Sequence, residues 1–394
     1  MAALDWPHIL PRTSSFFSLS LLANGYPALH GIRVLAIFAV VQVHATKALT
    51  ALDMVEKSGA TRFSQKVFFG MDLFFILSGF LIGTMLLQSL SQGNGRFALA
   101  RFYARRAFRT FPLYYFMILI LVLLGGPRNI LVSELFYLTN YVPGGPKQAV
   151  MNWGWSLCVE EHFYLVAPLL LIALGAVRWP ASRLALLLVL WLLGLWLRLD
   201  VYLSHIGPWS PGEMFAAMYI KTHTRFDILI AGVAVAYLQF EYGAQLKRLL
   251  ARPAMAAAFA GLSLLALLFL LLPLGWLFDR GLYKVLCWGT VTSIMYVPLL
   301  LLLLNRGGPV VRFLGSPWFL RIATLGYGVY LVHIPVFFLV APLLAGLGLT
   351  GAAAVFWMLL VGMLGSFVMA YLLHILVEKP ALLLRDILVP SRSH

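Results

Sequence analysis

Apolar runs of about twenty residues recur along almost the whole chain, and a helix of that length is what crosses a hydrocarbon core of roughly 30 Å. With 62% of its 394 residues hydrophobic and 11% charged, the chain is far from a soluble composition, so the bilayer is its solvent. The runs place spans near residues 29–50, 66–90, 108–125, 153–175, 182–203, 223–240, 253–273, 284–304, 323–345 and 351–376. The expected fold is all-α, a polytopic membrane bundle of about ten transmembrane helices.

The formal charge of +15 would suggest nucleic acid in a soluble chain; across short loops it follows the positive-inside rule instead, and no nucleic-acid partner is expected. The largest basic cluster, Arg96, Arg101, Arg105, Arg106 and Arg109, falls in what reads as a cytoplasmic loop before the third span. Both termini are then expected in the cytoplasm, in an integral protein of the cell (inner) membrane. Residues 1–28 lack the pattern of a cleaved secretory signal and read as a retained amphipathic lead-in. Residues 29–380 read as one transmembrane domain and 381–394 as a cytoplasmic tail. The segment 126–152, rich in Gly and Pro, reads as an external loop with a short interfacial helix around 130–141. Two cysteines, Cys158 and Cys287, both in apolar stretches, give neither a disulfide framework nor a metal pattern, so no metal is expected.

Ionisable groups inside spans cost several kcal/mol unless they face protein or water, and each is a functional candidate. Arg33 and His44, eleven residues apart, share one face of the first helix and lie about 16 Å apart along it. Asp72 enters the second span from the outer side, a short way past its start, which places it at about the same depth as His44 on the antiparallel neighbour. The expectation is an imidazole–carboxylate pair in which Asp72 fixes the His44 tautomer and raises its basicity for proton abstraction. Glu160, Glu161 and His333 lie at comparable depth on two further helices; each alone also suits a packing hydrogen bond. Arg106 and Arg109, three residues apart, are neighbours on one helix face and suit a phosphate or diphosphate, or anionic lipid headgroups.

Seven stretches, in this order, carry a family resemblance: Arg33 and His44 with ten residues between them, GMDLFFILSGFLIG (70–83), RRAFRTFPLYY (105–115), WSLCVEEHFYL (155–165), TRFDILIAG (224–232), GYGVYLVH (326–333) and EKP (378–380). Together they resemble the acyltransferase-3 family of membrane O-acyltransferases over essentially the whole chain. The resemblance implies an acetyl-CoA or other acyl-CoA donor reaching the site from the cytoplasm, and a hydroxyl acceptor, commonly on a carbohydrate or glycolipid. It implies that Arg33 and His44 match the family's essential pair, and Arg106 and Arg109 its donor-binding RxxR. Asp72 and Ser78 fall in its second motif, Glu160 and Glu161 in its WSL motif, and Arg225 and Asp227 in its RxD motif. His30, Cys158 and His162 stand where relatives commonly carry an acidic residue, Ser and Gln. Many relatives add an extracytoplasmic esterase-like domain; these 394 residues hold none, so direct acylation of the acceptor is expected.

The combined expectation is catalysis by His44, Asp72, Glu160 and Glu161, donor contacts from Arg33, Arg106 and Arg109, and support from Ser78, Arg225, Asp227 and His333. The rival class is a proton-coupled secondary transporter of an anionic solute, because buried His, Asp and Glu serve proton coupling too. Against it, no paired broken helices or internal symmetry are visible.

Overall fold

The structure is a computed structural model that describes residues 18–19, 25–56, 66–92, 95–272 and 280–390. Most of the lead-in and the last four residues of the tail lie outside the described residues, and Arg96 is described by its backbone alone. Among the described residues, ten helices are long and apolar enough to cross a membrane: α1 Ala28–Ala51, α2 Phe69–Ser91, α3 Leu99–Leu123, α4 Trp155–Ala176, α5 Pro180–Leu203, α6 Phe226–Ala251, α7 Pro253–Leu271, α8 Gly281–Asn305, α9 Pro317–Gly346 and α10 Gly351–Leu388. Among the described residues there is no strand. The all-α polytopic bundle of ten spans is therefore what the apolar runs specify.

Three boundaries depart from the sequence reading. The basic segment before the third span is helix, not loop: helical structure begins at Gly95 and runs through Pro112 to Leu123. Its Ala, Arg, Leu and Phe residues include no breaker between Gly95 and Pro112, so the helix simply continues into polar surroundings. At the other end of the chain, α10 continues to Leu388, beyond the apolar run, as a strongly amphipathic stretch from Lys379. α6 likewise outlasts its apolar run to Ala251, with a kink at Tyr242.

Glycines set the closest helix contacts. A side chain on Gly79 of α2 would collide with the backbone of Leu229, and one on Gly232 of α6 with that of Ile76 and Phe80. In lipid, where helices gain nothing by leaving water, such backbone-to-backbone packing is a principal source of association. The SGF and IAG segments of the two motifs are thus the seam between α2 and α6. α8 is interrupted at Trp288 and Gly289, where Gly289 takes φ +95°. A Cβ there would strike the Asp227 carboxylate, so the glycine serves both the left-handed turn and the close approach.

The 126–152 segment folds over one end of the bundle as short turns at Leu131–Leu135, Thr139–Tyr141 and Gly145–Gln148. Glu134, 1% exposed, organises it. Its carboxylate accepts from the backbone N–H of Val150 (2.9 Å) and Met151 (2.8 Å), while the Tyr114 hydroxyl of α3 donates to its carbonyl at 2.8 Å. The opposite end carries Arg101, Arg105, Arg385 and the start of α1; we refer to these as the loop end and the basic end.

Candidate functional site

A cavity of about 600 Å³ opens at the basic end, lined by side chains of α1, α2, α3, α4, α9 and α10. Arg101, Arg105 and Arg385 lie among its lining at the mouth; Arg33, Arg106, Ser78, Glu160, Glu161 and Tyr164 line its middle; Ser156 and Tyr330 lie toward the loop end. In α2 the lining positions Phe74, Ser78, Leu81 and Met85 repeat at helical spacing, which shows that one face of α2 forms the wall.

In the middle of the cavity a hydroxyl–carboxylate cluster joins α2 to α4. Ser78 Oγ donates to Glu160 Oε1 at 2.6 Å, and the Tyr164 hydroxyl, one turn along α4, donates to Glu160 Oε2 at 3.0 Å. The Arg106 guanidinium stacks over the Tyr164 ring, 3.6 Å from its centroid. Its Nε is buried without a hydrogen-bond partner. Arg33 also borders the cavity, and neither Arg33 nor Arg106 has a carboxylate within ion-pair distance among the described residues. Two guanidinium groups therefore face a space that holds no protein anion in direct contact with them.

The expected Arg106–Arg109 fork does not form. Arg109 is ion-paired with Glu378 of the EKP segment, which also accepts from His374 Nδ1 at 2.8 Å. Both arginines line the cavity, but Arg109 ties α3 to α10 while Arg106 remains open to the cavity. Three-residue spacing put them on one face; a carboxylate from a distant helix decided their separate fates.

The expected His44–Asp72 pair is not formed either. Gly70 packs against the Ala36–Val40 turn of α1, so α2 begins alongside the middle of α1 and Asp72 enters on the basic-end side of His44. The two helices do not end level, and the depth argument assumed that they do. Asp72 is instead fully buried against Arg225, the residue just before α6, and accepts from Thr292 Oγ1 at 2.6 Å. Asp227 pairs with Arg198 of α5 at 2.7 Å, and Arg198 also donates to the carbonyls of Thr224 (2.6 Å) and Val285 (3.1 Å) and to Thr290 Oγ1 (2.7 Å). All four of these charged side chains are 0% exposed and none lines the cavity. They tie α2, α5, α6 and α8 together around the break at Gly289.

His44 finds a different partner. His333 Nε2 lies 3.0 Å from His44 Nδ1, and His333 Nδ1 lies 2.6 Å from the Tyr330 carbonyl oxygen. A carbonyl only accepts, so His333 carries its proton on Nδ1. In the neutral pair His333 Nε2 is then the acceptor, His44 Nδ1 is the donor, and His44 Nε2 keeps its lone pair. Neither histidine lines the cavity; Tyr330 does, with its ring 5.6 Å from that of His333 and its hydroxyl between Ser156 Oγ (2.6 Å) and the Trp153 carbonyl (2.5 Å).

Sequence reasoning passed over four of these residues. Tyr164 stands four residues after Glu160 and Tyr330 three before His333, each on its partner's helix face. Arg198 is a guanidinium within an apolar span, a signal available from composition alone. Glu378 was within a quoted motif but had no sequence clue to its partner.

Comparison with known proteins agrees with the motif pattern. The family described as an acyltransferase domain, acyltransferase 3, matches residues 26–375. The peptidoglycan O-acetyltransferase OatA of Listeria monocytogenes is 29% identical over 230 residues, 54% of this chain and 34% of its own. The Bacillus subtilis protein YrhL, provisionally named a peptidoglycan O-acetyltransferase, is 29% identical over 53% of this chain and 33% of its own. A provisionally named O-acetyltransferase of Staphylococcus aureus is 23% identical over 79% of this chain and 50% of its own. This chain thus spans a third to a half of the length of these relatives. No solved structure matches.

Proposed function

Because the chain belongs to the acyltransferase-3 family of membrane O-acyltransferases, we propose that it moves an acetyl or other acyl group from acyl-CoA to a hydroxyl acceptor, a saccharide or glycolipid. The single observation that carries this reading is the stack of groups along one cavity: arginines at the mouth, two further unpaired guanidiniums inside, and a histidine pair just beyond the inner wall. The basic end is cytoplasmic on the positive-inside rule, in a cell membrane. The acyl-CoA nucleotide remains at that mouth, where guanidinium groups suit phosphate oxygens. Its pantetheine arm reaches inward past Arg33 and Arg106 and brings the thioester to the inner half of the cavity.

His44 Nε2 is the general base. It takes the proton of the acceptor hydroxyl as the oxygen attacks the thioester carbonyl, the C–S bond breaks, and the thiolate leaves and is protonated. His333 replaces Asp72 in the positioning role: it holds His44 Nδ1 and leaves Nε2 free to accept. Movement of the Tyr330 side chain joins cavity and histidine pair. Glu160, Ser78 and Tyr164 shape the middle of the cavity, and Glu161 lines it beside Thr110. Arg225, Asp227 and Asp72 support the frame rather than the reaction.

The transporter reading loses two of its proton-coupling groups, because Asp72 and Asp227 are held by Arg225 and Arg198. The test is thiol release from acetyl-CoA by the purified protein in nanodiscs, with and without a saccharide-bearing acceptor. Acceptor-dependent release that disappears in His44→Ala supports the reading; solute uptake into proteoliposomes with no thioester consumed overturns it.

A further inference from the structure

The mouth of the cavity is crossed by the amphipathic end of α10, and the contact is made by charge. Arg385 Nε and Nη2 grip the Asp386 carboxylate as a fork, at 2.9 and 3.0 Å, and Arg105 Nη1 reaches the same carboxylate at 3.1 Å. Arg105 Nη1 also donates to the Val389 carbonyl at 2.7 Å. Arg101 lines the mouth with no ion pair among the described residues. Two guanidinium groups thus converge on one carboxylate that is 53% exposed, and a third, Arg101, lines the same mouth.

The geometry points to a phosphate site made of Arg101, Arg105 and Arg385, in which Asp386 stands in for the phosphate until the nucleotide phosphates of the acyl donor displace it. This rests on the acyl-CoA reading above. A guanidinium fork holding two carboxylate oxygens has the shape that holds two phosphate oxygens. A solvent-exposed ion pair is weak, whereas a phosphate brings more charge and more acceptor oxygens to the same donors. Three arginines against one aspartate leave an uncompensated charge of +2 at the mouth. The location also suits the length of the donor: from Ser89 at the mouth to Ser78 inside is eleven residues of α2, about 16 Å of helix, so a nucleotide held here leaves its thioester in the inner half of the cavity. Arg109, the expected phosphate ligand, is already occupied by Glu378.

Asp386 gives the site an unusual sign. A residue that merely fixed the fold would weaken the protein when changed; one that occupies a ligand's place strengthens binding when its charge is removed. Adenosine 3′,5′-bisphosphate, the nucleotide portion of the donor, is titrated by calorimetry against the full chain in phosphatidylcholine nanodiscs. Arg385→Gln is expected to weaken binding about ten-fold, the scale of one charge-assisted hydrogen bond. Asp386→Asn is expected to tighten it about three- to five-fold. Repeating the titration in phosphatidylglycerol nanodiscs separates the two sources of phosphate. Unchanged wild-type affinity supports the nucleotide; competition by phosphatidylglycerol that vanishes in Arg385→Gln assigns the site to lipid headgroups and overturns the nucleotide assignment. Equal affinity of wild type and both variants overturns the mouth site alone. A wild type that binds no nucleotide overturns the donor reading as well.

Discussion

Asp72→Asn distinguishes a structural carboxylate from a catalytic one. The asparagine keeps the shape of the side chain and can still accept from Thr292 Oγ1, but it removes the charge that faces Arg225. Arg225 is 0% exposed, the rings of Tyr219 and Phe75 lie against its guanidinium, and its Nε and Nη1 have no hydrogen-bond partner. Removing one member of a buried pair leaves the other charged and unsolvated, which costs about 3–5 kcal/mol. The folded-to-unfolded ratio should therefore fall by roughly two to three and a half orders of magnitude. Reversible unfolding in mixed micelles measures it, and the double variant Asp72→Asn/Arg225→Gln should recover much of the loss because no buried charge remains. Nucleotide binding by the fraction that folds should be unchanged, since neither residue lines the cavity. A variant that unfolds like wild type yet transfers acyl groups slowly would refute this account and return Asp72 to the chemistry.

The remaining predictions concern other parts of the frame and site. His44→Ala should abolish transfer with nucleotide affinity retained. His333→Ala should lower the turnover number by about 10²-fold with little change in KM, the range for loss of general-base efficiency; equal turnover in His333→Ala would remove its positioning role. Gly232→Val should disrupt the α2–α6 seam and lower stability by several kcal/mol, since the new side chain meets backbone that cannot rotate away; unfolding in micelles reads this, and a neutral result would mean that the helices can separate without loss. Burial raises the Glu134 carboxyl above its ordinary range despite the two backbone N–H groups that it accepts from. Its contribution is thus fully present below the pKa of the unfolded chain and is lost as pH rises through the folded value. Hydrogen exchange over residues 126–152 should accelerate with pH beyond the intrinsic chemical dependence, and Glu134→Gln should remove that excess.

The number of spans was legible because a bilayer imposes a length on every crossing helix, and length survives in a single sequence. Partner choice did not survive in the same way. Arg33, Glu160 and Glu161 stand out as ionisable residues within spans, Arg106 by its spacing in the basic cluster and Ser78 only by the family motif, and one cavity unites them. Asp72 and His44 were found as ionisable residues within spans too and then paired wrongly, because equal depth was inferred from equal distance to a helix end. That inference needs the ends to be level, and Gly70 allows α2 to begin against the middle of α1 instead. A single small residue thus moved a carboxylate from one imidazole to a guanidinium just before another helix. The same reasoning explains Arg109: spacing along α3 fixes the face on which an arginine lies, but whether that arginine stays free depends on Glu378, nearly 270 residues away in a segment whose polar end extends α10 beyond its apolar run. Local periodicity determines faces, and the offset between helices determines partners. In this chain the offset is set by glycines, so the glycines of the motifs inform the site as much as its ionisable residues do.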